Sequence, residues 1–314
     1  MALTVGVDVG GTKIAAGVVD EAGSILSTVR RDSPASDSEQ IEETIAGLVR
    51  ELAAEHSIEA VGVGAAGFVD VARSTVLFAP NLAWREEPLK AELERRLGLP
   101  VVIENDANAA AWGEFVFGAG ADVDDLLLVT VGTGIGGGLV LGGELHRGAF
   151  GVAAEIGHLR VVPQGRLCGC GNLGCWEQYG SGSALVREAR QRIAAGGPHT
   201  RLLLDRAAGD ASAISGPLVT QAAREGDVLA CELFAALGQW LGEGIASLTA
   251  VLDPAAVVIG GGVSEAGSLL LDPVQEHFLA QLTGREHRPE LEIRLATLGN
   301  KAGLIGSADL ARRR

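Results

Sequence analysis

Apolar and small positions alternate at the start of the chain. Val5, Val7 and Val9 are separated by Gly6 and Asp8, the two-residue period of a strand. AGVVD followed by Glu21-Ala22-Gly23 predicts a hairpin. The segment LTVGVDVGGTKIAAGVVDEAGSILSTVRR therefore predicts strand, glycine turn, strand, turn, strand. Over residues 37–56 the apolar positions Ile41, Ile45, Leu48, Val49 and Leu52 fall at helical spacing. AVGVGAAGFVD predicts a buried strand ending in glycines, and a second helix at about 86–97 stops at Gly98 and Pro100. VVIEN then predicts a strand and DANAAAWGEFVF a helix.

The pattern restarts at LLLVTVGTGIGGGLVLGGEL, again strand, Gly/Thr turn, strand, turn. Set beside VGVDVGGTKIAAGVVDEAG, it is a diverged internal repeat and suggests two related domains. Helical stretches at about 181–195, 215–225 and 228–251 lead to a third strand-glycine element, AVVIGGGVSEAG. EIRLATLG predicts a strand and AGLIGSADLARR a helix, while AAGGPHTR and RAAGDASAISG read as loops.

Composition narrows the class. The 314 residues favour two domains. With 47% hydrophobic and 21% charged residues, they describe a soluble, well-packed chain. Forty-five glycines, about twice the usual share, cluster beside apolar runs and suggest tight turns near a ligand. A net charge of −15 argues against non-specific nucleic-acid or anionic-membrane binding. No uninterrupted apolar run approaches the roughly 18 residues that span a bilayer. MALTVGVDVGGTK has no basic n-region, so the cytosol is the expected compartment.

The chemistry lies in three places. Asp8-Val9-Gly10-Gly11-Thr12-Lys13 ends an apolar strand with amides, a hydroxyl and an ammonium suited to phosphate oxygens, and Asp8 could hold Mg²⁺. A surface hairpin explains the same residues equally well. Gly132-Thr133-Gly134-Ile135-Gly136-Gly137 matches G-x-G-x-x-G, yet an apolar strand follows where a dinucleotide-binding unit needs a helix. The paired Gly/Thr turns fit a nucleotide clamp better, with Gly260-Gly261-Gly262 open to adenosine. His158, Cys168, Cys170 and Cys175 offer Cys₃His for structural Zn²⁺. Cys168 and Cys170 are too close to pair easily, and three thiols leave one over. Asp106, between a strand end and a helix start, is either a base or a simple N-cap.

From DVGGTK through ENDANAAAWGE, GTGIGGG and the H…CxCGxxGCWEQ block to GNKAGLIGSADLA, the chain resembles the ROK family, especially its actinobacterial zinc-containing glucokinases. The resemblance implies an α/β, actin-like ATPase (ribonuclease H-like) fold with two domains around a central cleft. Their expected bounds are 1–109, with 301–314 returning, and 110–300 with the zinc site. It implies phosphorylation of glucose to glucose 6-phosphate by Mg-ATP, with Asp106 as general base. Asn105, Glu155, His158 and Glu177 would bind the sugar, with Gly67, Asn81 and Asp106 contributing. Asp8, Gly10, Gly11, Thr12, Lys13, Gly132, Thr133, Gly134, Gly137, Gly261 and Gly262 would line the nucleotide. Homodimers or homotetramers are the family's habit. Rivals are a kinase for another hexose or an N-acetylated amino sugar, a polyphosphate donor, and a sugar-responsive repressor. The repressor is disfavoured because the first phosphate turn stands within ten residues of Met1.

Overall fold

Valine-rich strands with glycine at close-approach positions build the framework in the computed structural model, which describes residues 3–289 and 291–313. The chain begins with β1 (Leu3–Val9), β2 (Lys13–Val19), β3 (Ile25–Asp32), α1 (Ser38–Ala53) and β4 (Ile58–Ala65). Next come β5 (Phe68–Val69), β6 (Val76–Phe78), β7 (Arg85–Glu87), α2 (Leu89–Leu97), β8 (Val101–Asn105) and α3 (Asp106–Phe117). The restart supplies β9 (Leu126–Val131), β10 (Ile135–Leu141) and β11 (Glu144–Leu145). It continues through α4 (Glu177–Gly180), α5 (Gly182–Ala194), α6 (Thr200–Arg206), α7 (Gly216–Arg224) and α8 (Val228–Leu252). The rest is β12 (Ala256–Gly260), α9 (Ser268–Gln281), β13 (Glu292–Leu295) and α10 (Ala302–Arg312).

The expected repeat is present in the sheets. One sheet has the order β3-β2-β1-β4-β8 and another β11-β10-β9-β12-β13, the same sequence of roles. Each starts as a meander around a glycine turn and then adds later strands beyond its first strand. β5, β6 and β7 form a separate small sheet. Two compact units result. The first takes the chain through Leu128, Gly137–Ala154 and everything from Thr297, and the second takes Val129–Gly136 and Glu155–Ala296. The first unit thus runs past the expected limit near residue 110, because α3 packs within it against α10.

In the first unit, α1 and α2 cover one face of the sheet. Val5, Val7, Ile14, Ile41, Ile45 and Trp84 are wholly buried in one cluster there. α10 lies on β1 and β4. A Cβ on Gly6 would stand 1.9 Å from the Leu304 carbonyl oxygen, and one on Gly62 1.8 Å from that of Ser307. Gly306 meets the Ala109 carbonyl at 1.8 Å in the same sense. These three glycines thus serve close packing of α10 against the sheet and against α3, a use apart from the tight turns near a ligand.

Glu114, on α3, is fully buried. It accepts hydrogen bonds from the backbone N–H groups of Ala119 (2.9 Å), Thr297 (3.1 Å) and Leu298 (2.8 Å). It thereby joins the end of α3 to the segment that leads into α10. Glu114→Ala orphans three backbone donors and is expected to cost about 3 kcal/mol or more. Urea unfolding of the two proteins measures this; an unchanged midpoint refutes it.

In the second unit α8 packs along α9. α8 is long and apolar enough, by length and composition, to cross a membrane, but most of that stretch is buried inside the protein. α6 forms inside a stretch read as loop, and α9, which the apolar pattern does not predict, carries Pro273 within it.

Candidate active site

The first unit gathers the residues before and at the start of α3. Asn105 is the N-cap, its Oδ1 accepting from the Asn108 N–H at 3.0 Å. The capping role that could have explained Asp106 thus belongs to its neighbour. Asn105 Nδ2 donates to the Gly67 carbonyl at 3.0 Å, which brings those two expected residues together. Asp106 follows on the first turn of α3, with Oδ1 accepting from the Ala107 N–H at 2.9 Å. Burial, reinforced by the Asp8 carboxylate, lifts the Asp106 pKa from 3.8 to about 6. Burial also raises Asp8. The two carboxylates thus feel each other, as groups sharing one site do.

The turn 10–13 is tied by Gly10 N–H to the Lys13 carbonyl at 3.0 Å. A Cβ on Gly11 would lie 3.2 Å from Asn81 Cβ, so Asn81 sits against this turn. Lys13 is exposed, as a ligand-seeking ammonium would be.

In the second unit, the turn Gly132-Thr133-Gly134 connects β9 to β10, with no helix following, which removes the dinucleotide-fold reading. The Gly132 carbonyl accepts from the Gly182 N–H at 2.8 Å, and Gly261, at φ 82°, approaches the Val131 backbone. Gly132, Thr133 and Gly262 meet on a cavity of about 1140 Å³. Its other walls are one side of α5 along its length, from Gly182 to Ala194, and residues between 214 and 224, including Ser183, Arg187 and Thr220. Sequence reasoning placed helices there without seeing that they close a pocket. Gly137 lies buried inside β10 and does not join this group.

The ligating atoms of His158, Cys168, Cys170 and Cys175 all lie within 4.8 Å of one another. Cys170 Sγ and Cys175 Sγ are 3.6 Å apart, as are Cys168 Sγ and His158 Nδ1. Tetrahedral zinc, with bonds of about 2.3 Å to sulfur and 2.0–2.1 Å to nitrogen, puts its ligands about 3.5–3.8 Å apart. The donor set therefore fits, while the S···S separation excludes a disulfide of about 2.0 Å. His158 turns Nδ1 to the thiols and Nε2 to Glu155, 3.9 Å from its Oε2, across a 3-10 turn.

Glu177 closes the block. A Cβ on Gly134 would stand 2.5 Å from Glu177 Oε2, so this carboxylate lies on the Gly/Thr turn. Glu177 Oε1 lies 2.9 Å from Cys168 Sγ. Trp176, missed in the sequence, anchors both neighbours. It is fully buried on Gly244 of α8, and its Nε1 donates to the Trp240 carbonyl at 2.8 Å.

A family model described as "ROK family" matches residues 4–314. A glucokinase of Streptomyces coelicolor is 53% identical over 99% of this chain and 98% of its own. A solved ROK family glucokinase from Streptomyces griseus, in complex with glucose and AMPPNP, superposes with a TM-score of 0.92 at 55% identity, covering all of both chains. A ROK hexokinase from Thermus thermophilus gives 0.79 at 35% identity, over 99% of this chain and 98% of its own.

Proposed function

The chain belongs to the ROK family, with its actin-like ATPase fold, and from that premise we propose that it is an ATP-dependent glucose kinase. Full-length identity of 53% to a glucokinase carries this reading. The side chains supply a mechanism for it. The hydroxyl that attacks the γ-phosphorus of ATP, by family analogy the 6-OH of glucose, loses its proton to Asp106. That carboxylate accepts from the Ala107 N–H at Oδ1 and has its pKa raised to about 6, so it is ionised, and able to take a proton, at neutral pH. By family analogy, Asn105 with Gly67 and Asn81 in the first unit, and Glu155, His158 and Glu177 in the second, would each supply contacts to sugar hydroxyls.

Gly10, Gly11, Thr12 and Lys13 on one turn and Gly132, Thr133 and Gly134 on the other offer amides, hydroxyls and an ammonium to phosphates. The cavity reached by Gly132 and Gly262 is roomy enough for a nucleoside. Mg²⁺ on the phosphates, near Asp8, would supply charge neutralisation. Zn²⁺ on His158, Cys168, Cys170 and Cys175 would be structural, holding the His158 ring.

A coupled ADP-release assay over glucose, mannose, fructose, allose and N-acetylmannosamine, with ATP and polyphosphate compared, tests the whole reading. Glucose with ATP is expected to give the highest kcat/KM, by about tenfold or more, since one hydroxyl contact can discriminate to that degree. An amino sugar or polyphosphate ahead of that pair rejects the substrate assignment, and no transfer to any hexose rejects the kinase.

A further inference from the structure

Glu104 immediately precedes the two residues assigned to sugar and proton, and its carboxylate is 2% exposed. Its Oε1 accepts from the Asn105 backbone N–H at 3.0 Å and from Asn108 Nδ2 at 3.1 Å. Asn108 in turn donates its own N–H to Asn105 Oδ1 at 3.0 Å. Three residues thus close a hydrogen-bonded ring around the strand-to-helix corner that presents Asp106. The remaining oxygen, Oε2, takes Arg147 Nε at 2.6 Å. Arg147 belongs to the segment after β11, and Arg73 lies close enough for like-charge repulsion from it. The three hydrogen bonds of this carboxylate all go to protein groups, two of them at the corner that carries Asp106. Without the Glu104 acceptor, the Asn105 N–H and the Asn108 amide lose the shared partner that fixes this corner.

We propose that Glu104 is a positioning residue for phosphoryl transfer. Its Oε1 sets the orientation of Asn105 and hence of Asp106, and Arg147 holds Glu104 in place. This role rests on the kinase reading above. A misplacement of about 1 Å at a reacting group costs on the order of 10²-fold in rate, so the effect falls on kcat.

The experiment compares wild type, Glu104→Ala and the paired variant Glu104→Gln/Arg147→Gln, each on the hexose that wild type uses best. The paired variant keeps an acceptor at Oε1 and replaces the ion pair by an amide–amide hydrogen bond, which guards against loss of folding. Glu104→Ala is expected to lower kcat roughly 10²-fold with KM for ATP unchanged, whereas the pair stays within about tenfold of wild type. A folded Glu104→Ala protein with kcat within about twofold of wild type overturns the role. So does a paired variant as slow as Glu104→Ala, because the acceptor then carries nothing. Wild-type turnover itself reports on the kinase reading: inactivity on every hexose overturns that reading and this role together, while activity with flat variants overturns this role alone.

Discussion

Asp106→Asn is expected to lower kcat by about 10³-fold while glucose binding stays within a few fold of wild type. Asparagine keeps the shape of the side chain and an oxygen that can accept the Ala107 N–H, now at 2.9 Å. It loses only the ability to take a proton. Calorimetric titration with glucose and a turnover assay separate the two quantities, and near-normal turnover rejects the base assignment. The acid limb of the wild-type profile should match. With a pKa near 6 in the free enzyme, kcat/KM falls about tenfold per pH unit below that value, since the base is then protonated.

The same shift fixes a sign for stability. The folded pKa of about 6 lies above the ordinary aspartate value of 3.8, so between those values the folded chain binds a proton that the unfolded chain does not. This stabilising contribution is full below 3.8 and lost as the pH rises through 6. At neutral pH the ionised carboxylate therefore burdens the free protein, and Asp106→Asn should melt higher than wild type. A variant that is both slower and less stable would point to a misfolded corner.

Much of this was legible before the structure. Val5, Val7 and Val9 predict β1 because strand period needs no tertiary information, and the restart at Leu126 predicts the second sheet for the same reason. Cys168, Cys170 and Cys175 stand close in sequence, so their convergence needs only a tight loop. What stayed hidden depends on distant partners. Glu104 and Arg147 are 43 residues apart, and nothing in either segment marks the pair. Gly6 and Gly62 admit the α10 backbone, and Gly306 of α10 admits that of α3, close approaches between segments far apart in the chain that no local pattern shows. β5, β6 and β7 are two or three residues long, too short for a period to show. Within the cavity, Thr133 was readable from its turn, but Thr220 and Arg187 face it from helices whose neighbours no pattern reveals.

Removing the metal is the second large effect, and the loop shows why. Between residues 159 and 174, Leu159, Leu167 and Leu173 are exposed by 44%, 69% and 43%, so they supply little local core. Two isolated bridges, Arg160 with Cys175 and Leu167 with Leu173, are its only β pairings among the described residues. A metal on His158, Cys168, Cys170 and Cys175 would then carry much of the ordering free energy of the segment. Trp176 stays anchored on α8, which confines the damage to the loop and to the orientation of His158 and Glu177. Cys175→Ser is expected to leave less than stoichiometric zinc by elemental analysis and to weaken glucose binding by about 10²-fold or more, the scale at which lost metal-site support acts. Hydrogen exchange should rise across 159–175 and stay unchanged in β1, β4 and α10. A zinc-free variant with wild-type glucose affinity would show that His158 and Glu177 hold their places without the metal, and the supporting role would fall.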